Sequence, residues 1–202
     1  MKLILIRHGE TEWNKQRRIQ GCRSDTRLSP KGLEEADRLA AVLRKERIDA
    51  IYSSPMKRAA ETAQIIAEAC KLPVQVLVEL REIDAGQLDG LFERELTGSY
   101  ETAWKELRDG NASTPLPGGE SLQDLQKRTS WAVDRLLEKH IDGTAVVVAH
   151  LLVNLVIVCR ALDINLSQIA HLKQAPASIT ILELTTQGNS LLLLNDTCHL
   201  QH

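Results

Sequence analysis

The segment Lys2-Leu3-Ile4-Leu5-Ile6-Arg7-His8-Gly9-Glu10 decides the fold. Its apolar run is too short for a helix and has the composition of a strand buried on both faces. It stops at a guanidinium, an imidazole and a glycine. Strands covered on both sides belong to α/β sheets, whose ligands bind at the carboxyl ends of the strands. A cation and an imidazole at that edge point to chemistry on an anion, and Gly9 would let the backbone come close to a ligand.

Outward from that strand the chain alternates between helix and strand. Ser29-Pro30 opens an amphipathic helix with Leu33, Ala36, Leu39, Ala40 and Leu43 at helical spacing. Ala50-Ile51-Tyr52-Ser53 reads as a short strand. Ser54 as N-cap and Pro55 as first residue then begin a helix to about Ala69. Val74 to Leu80 reads as another strand, Arg81 to Gly90 as a loop, and Glu93 to Arg108 as a weaker helix containing Trp104. Asp109 to Gly119 has the composition of a surface loop, after which Ser121 caps a helix carrying Leu122, Leu125, Val133, Leu136 and Leu137. Thr144 to Ala149 is a second buried strand, ending in His150, and the apolar residues Leu151 to Val158 continue as a buried helix. Ser178 to Leu184 and Ser190 to Leu194, joined by Thr185-Thr186-Gln187-Gly188-Asn189, form an expected antiparallel hairpin. Together these predict a three-layer α/β/α protein with a doubly wound, mostly parallel sheet, in one domain over residues 1–202.

Composition narrows the partners. The 202 residues are 43% hydrophobic, enough for a proper core. A net charge of -2 and a pI near 6.3, without a basic tract, leave no electrostatic footprint for nucleic acid or an anionic membrane. Any anion must therefore be bound locally. Cys22, Cys70, Cys159 and Cys198 lack metal-ligand spacing and read as free thiols of a reducing compartment. Neither the N-terminal apolar run nor Leu151 to Val158 is long enough for a signal peptide or a membrane span, so a soluble cytoplasmic protein is expected.

The topology brings certain residues to one edge. Arg7 and His8 end one strand, Arg58 sits in the first turn of the helix after another, and His150 ends a third. Two guanidiniums and two imidazoles suit a tetrahedral dianion, because arginine offers forked donors that match its oxygens. Helix N-termini near residues 55 and 151 would add backbone N–H groups. Glu82, in the loop after a fourth strand, is the carboxyl group best placed to face this site as a proton donor. A metal held by His8, His150, Glu82 and Asp84 is disfavoured, since two arginines aimed at the same point repel a cation. His140, His171, His199 and His202 are assigned no role.

Four motifs in this order resemble the histidine phosphatase superfamily, which includes cofactor-dependent phosphoglycerate mutase. They are Arg7-His8-Gly9-Glu10-Thr11 with Trp13-Asn14, Ser53-Ser54-Pro55-Met56-Lys57-Arg58-Ala59-Ala60-Glu61-Thr62-Ala63, Leu80-Arg81-Glu82-Ile83-Asp84, and Pro117-Gly118-Gly119-Glu120-Ser121. The resemblance covers most of the chain. It implies that His8 is a nucleophile forming a phosphohistidine, that Arg7, Arg58 and His150 hold the transferred group, and that Glu82 is the general acid and base. Asn14 and the amide of Gly21 match further phosphate contacts. The substrate implied is a small phosphate ester, with no metal and no cofactor. Such a histidine must be neutral at the attacking nitrogen, with the other nitrogen held as a donor by an acceptor such as a backbone carbonyl.

The chain departs from the family where His150 is followed by Leu151-Leu152 rather than glycine. The N–H of Leu151 remains available to phosphate if its φ is negative, but its side chain enters the pocket, implying a more apolar substrate site or weakened activity. Ala85-Gly86-Gln87-Leu88 also lacks the bulky aromatic often found there. The stretch between Gly90 and Glu120 lacks the long insertions of the mutases, which favours a phosphomonoesterase acting on α-ribazole 5'-phosphate, phosphoserine, sugar phosphates or a broad range. The alternatives are a phosphoglycerate mutase and a catalytically weak module that binds phospho-ligands.

Overall fold

The protein, described here from a computed structural model over residues 1–201, is built on a six-stranded sheet. The strands are β1 (Lys2–Arg7), β2 (Ala50–Ser53), β3 (Val74–Val76), β4 (Thr144–Ala149), β5 (Ile179–Thr185) and β6 (Gly188–Asp196). Their spatial order is β3-β2-β4-β1-β5-β6; the first four are parallel, and β5 and β6 are antiparallel additions. The helices are α1 (Glu12–Gln16), α2 (Pro30–Leu43), α3 (Lys57–Cys70), α4 (Gly98–Arg108), α5 (Leu122–Lys139) and α6 (Leu151–Ala161).

Side chains alternate across a strand, so each central strand feeds two cores. Ile4, Ile6, Ile51, Val146 and Val148 face one side, where Leu39, Ala40 and Leu43 of α2 and Ala59, Ala63 and Ile66 of α3 cover them. Leu3, Leu5, Tyr52, Val147 and Ala149 face the other, beneath Leu122, Leu125, Val133 and Leu136 of α5 and Val153, Val156 and Ile157 of α6. Continuous apolar strands are thus explained by helices on both faces, as the three-layer α/β/α expectation requires.

Several local expectations change. The helix after β2 starts at Lys57 with Met56 as its cap residue, because the Ser54 hydroxyl makes a turn with the Met56 N–H and a bond to His150 instead of capping. The strand expected to reach Leu80 stops at Val76, and Val78–Leu80 form a short 3-10 turn. The loop from Arg81 contains a further 3-10 turn at Gly86–Leu88. Glu93–Glu95 is likewise a 3-10 turn, and α4 begins only at Gly98. Leu33 lies outside the buried stripe of α2, at 44% exposure; Gly32, Glu35 and Ala36 occupy that face instead. The four cysteines are free thiols.

Register sets the site. Arg7 pairs with Ala149 across the parallel β1–β4 ladder, so His8 and His150 leave the sheet side by side. Ser53 is in register with Val148, and the Ser54 N–H donates to the Val148 carbonyl, which puts Ser54 beside His150.

Candidate active site

His8 is buried, with its Nδ1 2.7 Å from the carbonyl oxygen of Gly9. A carbonyl only accepts, so Nδ1 carries the proton and Nε2 is left with its lone pair. The ring meets that of His150 edge-on, with centroids 5.2 Å apart. Burial first, and the charge of Arg58 next, push both imidazoles well below the ordinary value of 6.5, which keeps them neutral. Gly9 serves packing rather than ligand approach: a Cβ there would lie 2.5 Å from the Gly32 carbonyl oxygen of α2. Its N–H donates to Thr62, whose hydroxyl donates to the Arg58 carbonyl.

Arg58 is fully buried in the first turn of α3, with its guanidinium donating to the carbonyls of Ser24 and Gly21 at 2.9 and 3.1 Å. Arg7 donates to the Gln174 carbonyl at 2.6 Å, and burial pushes its pKa down to about 10. Among the described residues neither arginine has a carboxylate within 4 Å, and both retain a buried Nε with no partner. A desolvated cation costs free energy unless an opposite charge meets it. An anion placed beside these two groups and the two neutral imidazoles would offset that cost.

Glu82 is buried, with one carboxylate oxygen accepting from the Ile83 N–H at 2.8 Å and the other from the Leu152 N–H at 3.4 Å. Burial raises its pKa, against the opposing pull of the Ile83 N–H, Arg58 and Arg128. Its loop is clamped by Arg128 of α5, whose guanidinium donates to the carbonyls of Glu79, Arg81 and Glu82 and pairs with both oxygens of Glu120. Glu120 also accepts from the Asp84 N–H, so the Pro117-Gly118-Gly119-Glu120-Ser121 motif supports the Glu82 loop.

Arg7, His8, Asn14, Gly21, Glu82 and Leu151 line one cavity of about 340 Å³; Arg58 and His150 are fully buried and are not among its lining residues. Asn14 accepts the Thr11 N–H at 3.0 Å through Oδ1 in a capping box, leaving Nδ2 as its donor. Gly21 corrects an expectation: its N–H, matched to a phosphate contact, donates to Asp89 at 3.2 Å, and it contributes its carbonyl to Arg58. Leu151 is the first residue of α6 and is not among the residues of positive φ, so it is unstrained and its N–H belongs to the unpaired first turn. Together with Leu152, Ile83 and Trp104 it makes an apolar wall. Sequence reasoning missed Arg128, Ser54 and Gln174. Arg128 lies three residues after Leu125, on the flank of the buried stripe, which was the available signal.

His140 bonds the Tyr52 hydroxyl and His199 the Ala177 carbonyl, away from this cavity, while His202 lies outside the described residues. No helix among the described residues is long and apolar enough to cross a membrane.

The chain is 36% identical over 200 residues to phosphoserine phosphatase 1 of Hydrogenobacter thermophilus, covering 99% of this chain and 94% of that one. It superposes on Bacillus stearothermophilus YhfR with a TM-score of 0.92 at 30% identity, covering 99% of both chains. Phosphoserine phosphatase of Entamoeba histolytica, solved in complex with 3-phosphoglyceric acid, superposes with a TM-score of 0.89 at 32% identity over 98% of both chains. The model of the histidine phosphatase superfamily, branch 1, matches residues 3–197, and the chain belongs to that family.

Proposed function

We propose that the protein hydrolyses small phosphate monoesters through a phosphohistidine at His8. The observation that carries this reading is the hydrogen bond from His8 Nδ1 to the Gly9 carbonyl, which leaves Nε2 as a neutral nucleophile beside two arginines that lack carboxylate partners. In the first step Nε2 attacks phosphorus, the bond to the leaving oxygen breaks, and protonated Glu82 gives its proton to that oxygen. Water then attacks the phosphohistidine as Glu82 takes its proton back, releasing inorganic phosphate and restoring His8. Charge on the equatorial oxygens is met by Arg7, Arg58 and His150, with Asn14 Nδ2 and the Leu151 N–H as further donors; such positioned donors supply most of the catalysis in phosphoryl transfer.

The apolar wall of Leu151, Leu152 and Trp104 supports a substrate whose organic part has an apolar face, as α-ribazole 5'-phosphate has, and that ester with the more polar phosphoserine and sugar phosphates forms the first panel to test. Release of inorganic phosphate from members of that panel, unaffected by EDTA, is the expected result. Turnover of 3-phosphoglycerate that requires a bisphosphoglycerate primer and releases no net phosphate would assign a mutase instead. Binding of these esters without turnover, unchanged in His8→Ala, would assign a binding module.

A further inference from the structure

Ser54 is fully buried at the end of β2, and its Oγ lies 2.7 Å from Nε2 of His150. The same Oγ accepts the Met56 N–H at 3.3 Å. No other acceptor among the described residues lies within bonding distance of this hydroxyl, so its single hydrogen has only the His150 nitrogen to go to. A hydroxyl left without an acceptor in a dry site costs about 1–3 kcal/mol, which selects the arrangement in which Ser54 donates. Nε2 is then the acceptor, and the ring proton must sit on Nδ1. Nδ1 is buried and has no protein partner, on a ring whose neighbours are His8 and the two arginines.

We infer that Ser54 is a positioning residue for the reaction: by donating to His150 Nε2 it fixes the Nδ1–H tautomer and so presents Nδ1–H as a donor to the anion held beside His8. A free neutral imidazole favours the opposite tautomer, with its proton on Nε2. Without the serine hydroxyl the site would present a lone pair to a phosphoryl oxygen. The use of that donor in turnover rests on the phosphatase reading above, whereas the tautomer does not.

NMR of protein carrying ¹⁵N-labelled histidine separates the two. The His150 ring, assigned by its loss in His150→Asn, should carry its proton on Nδ1 in the wild type, and inorganic phosphate should shift that Nδ1–H. In Ser54→Ala the proton should move wholly or partly to Nε2, with kcat/KM lower by up to about 10²–10³-fold. Ser54→Thr, which keeps the hydroxyl, should retain the tautomer and recover much of the rate. A wild-type His150 protonated on Nε2 would overturn the inference, as would a folded Ser54→Ala whose tautomer changes while kcat/KM does not. Should Ser54→Ala fail to fold, the wild-type tautomer and its response to phosphate decide. A wild type that shows the Nδ1–H tautomer and its phosphate shift but releases no phosphate from any ester would count against the phosphatase reading and for this assignment.

Discussion

The chemistry depends on a few protonation states fixed by burial. His8 is neutral because water is excluded from it and two cations lie near, and its pKa sits well below 6.5. On the acid side kcat/KM should therefore be lost only well below the ordinary imidazole range. Burial raises Glu82, which prolongs its protonated form, so on the alkaline side the rate should fall above the ordinary carboxyl value of 4.5. In Glu82→Gln that alkaline limb should vanish. The same variant should slow an alkyl phosphate by about 10²–10⁴-fold and a nitrophenyl phosphate far less, because only the alkyl leaving group needs the proton. Equal losses for both esters would remove Glu82 as the acid. Much at this scale was legible in the sequence, since Arg7-His8-Gly9 and His150 each end a strand and parallel register must place them together. The path of individual hydrogen bonds was not. The Gly21 N–H meets Asp89 and Ser54 meets His150 through contacts between segments far apart in the chain, which local spacing does not encode.

At the scale of elements, the Glu82 loop has little secondary structure of its own and is held by α5 through Arg128. Arg128 and Glu120 are only 14% and 18% exposed, so losing the guanidinium leaves a carboxylate and three carbonyls poorly satisfied. Arg128→Met should lower stability to denaturant by about 3–5 kcal/mol. Turnover of alkyl phosphates should fall more than that of nitrophenyl phosphate, as in Glu82→Gln. A variant with unchanged stability and an unchanged ratio of the two rates would show that the loop holds itself. The elements that sequence periodicity placed well are the buried central strands and the amphipathic helices α2 and α5, where burial and pattern agree. It misplaced the starts of α3 and α4 and the end of β3, where a side-chain bond or a 3-10 turn overrides the pattern.

Over the whole molecule, one sheet is shared by both cores, with Leu3 and Leu5 feeding one and Ile4 and Ile6 the other. We propose that residues 1–202 unfold as one cooperative unit, with coincident far-ultraviolet circular dichroism and tryptophan fluorescence transitions; two resolved transitions would refute this. Stability should also fall as pH drops below 6.5, because the unfolded chain protonates His8 and His150 while the fold keeps them neutral. Each contributes about 1.4 kcal/mol per pH unit until its own folded-state pKa is reached. His150→Asn should flatten that slope.

The phosphohistidine itself can be isolated. Quenching turnover of a ³²P-labelled monoester within milliseconds should trap label on the wild-type protein that survives alkali, is released by acid, and maps to the peptide containing His8. His8→Ala should carry none. Absence of label from an active wild type, or label of equal amount in His8→Ala, would contradict a covalent intermediate at His8.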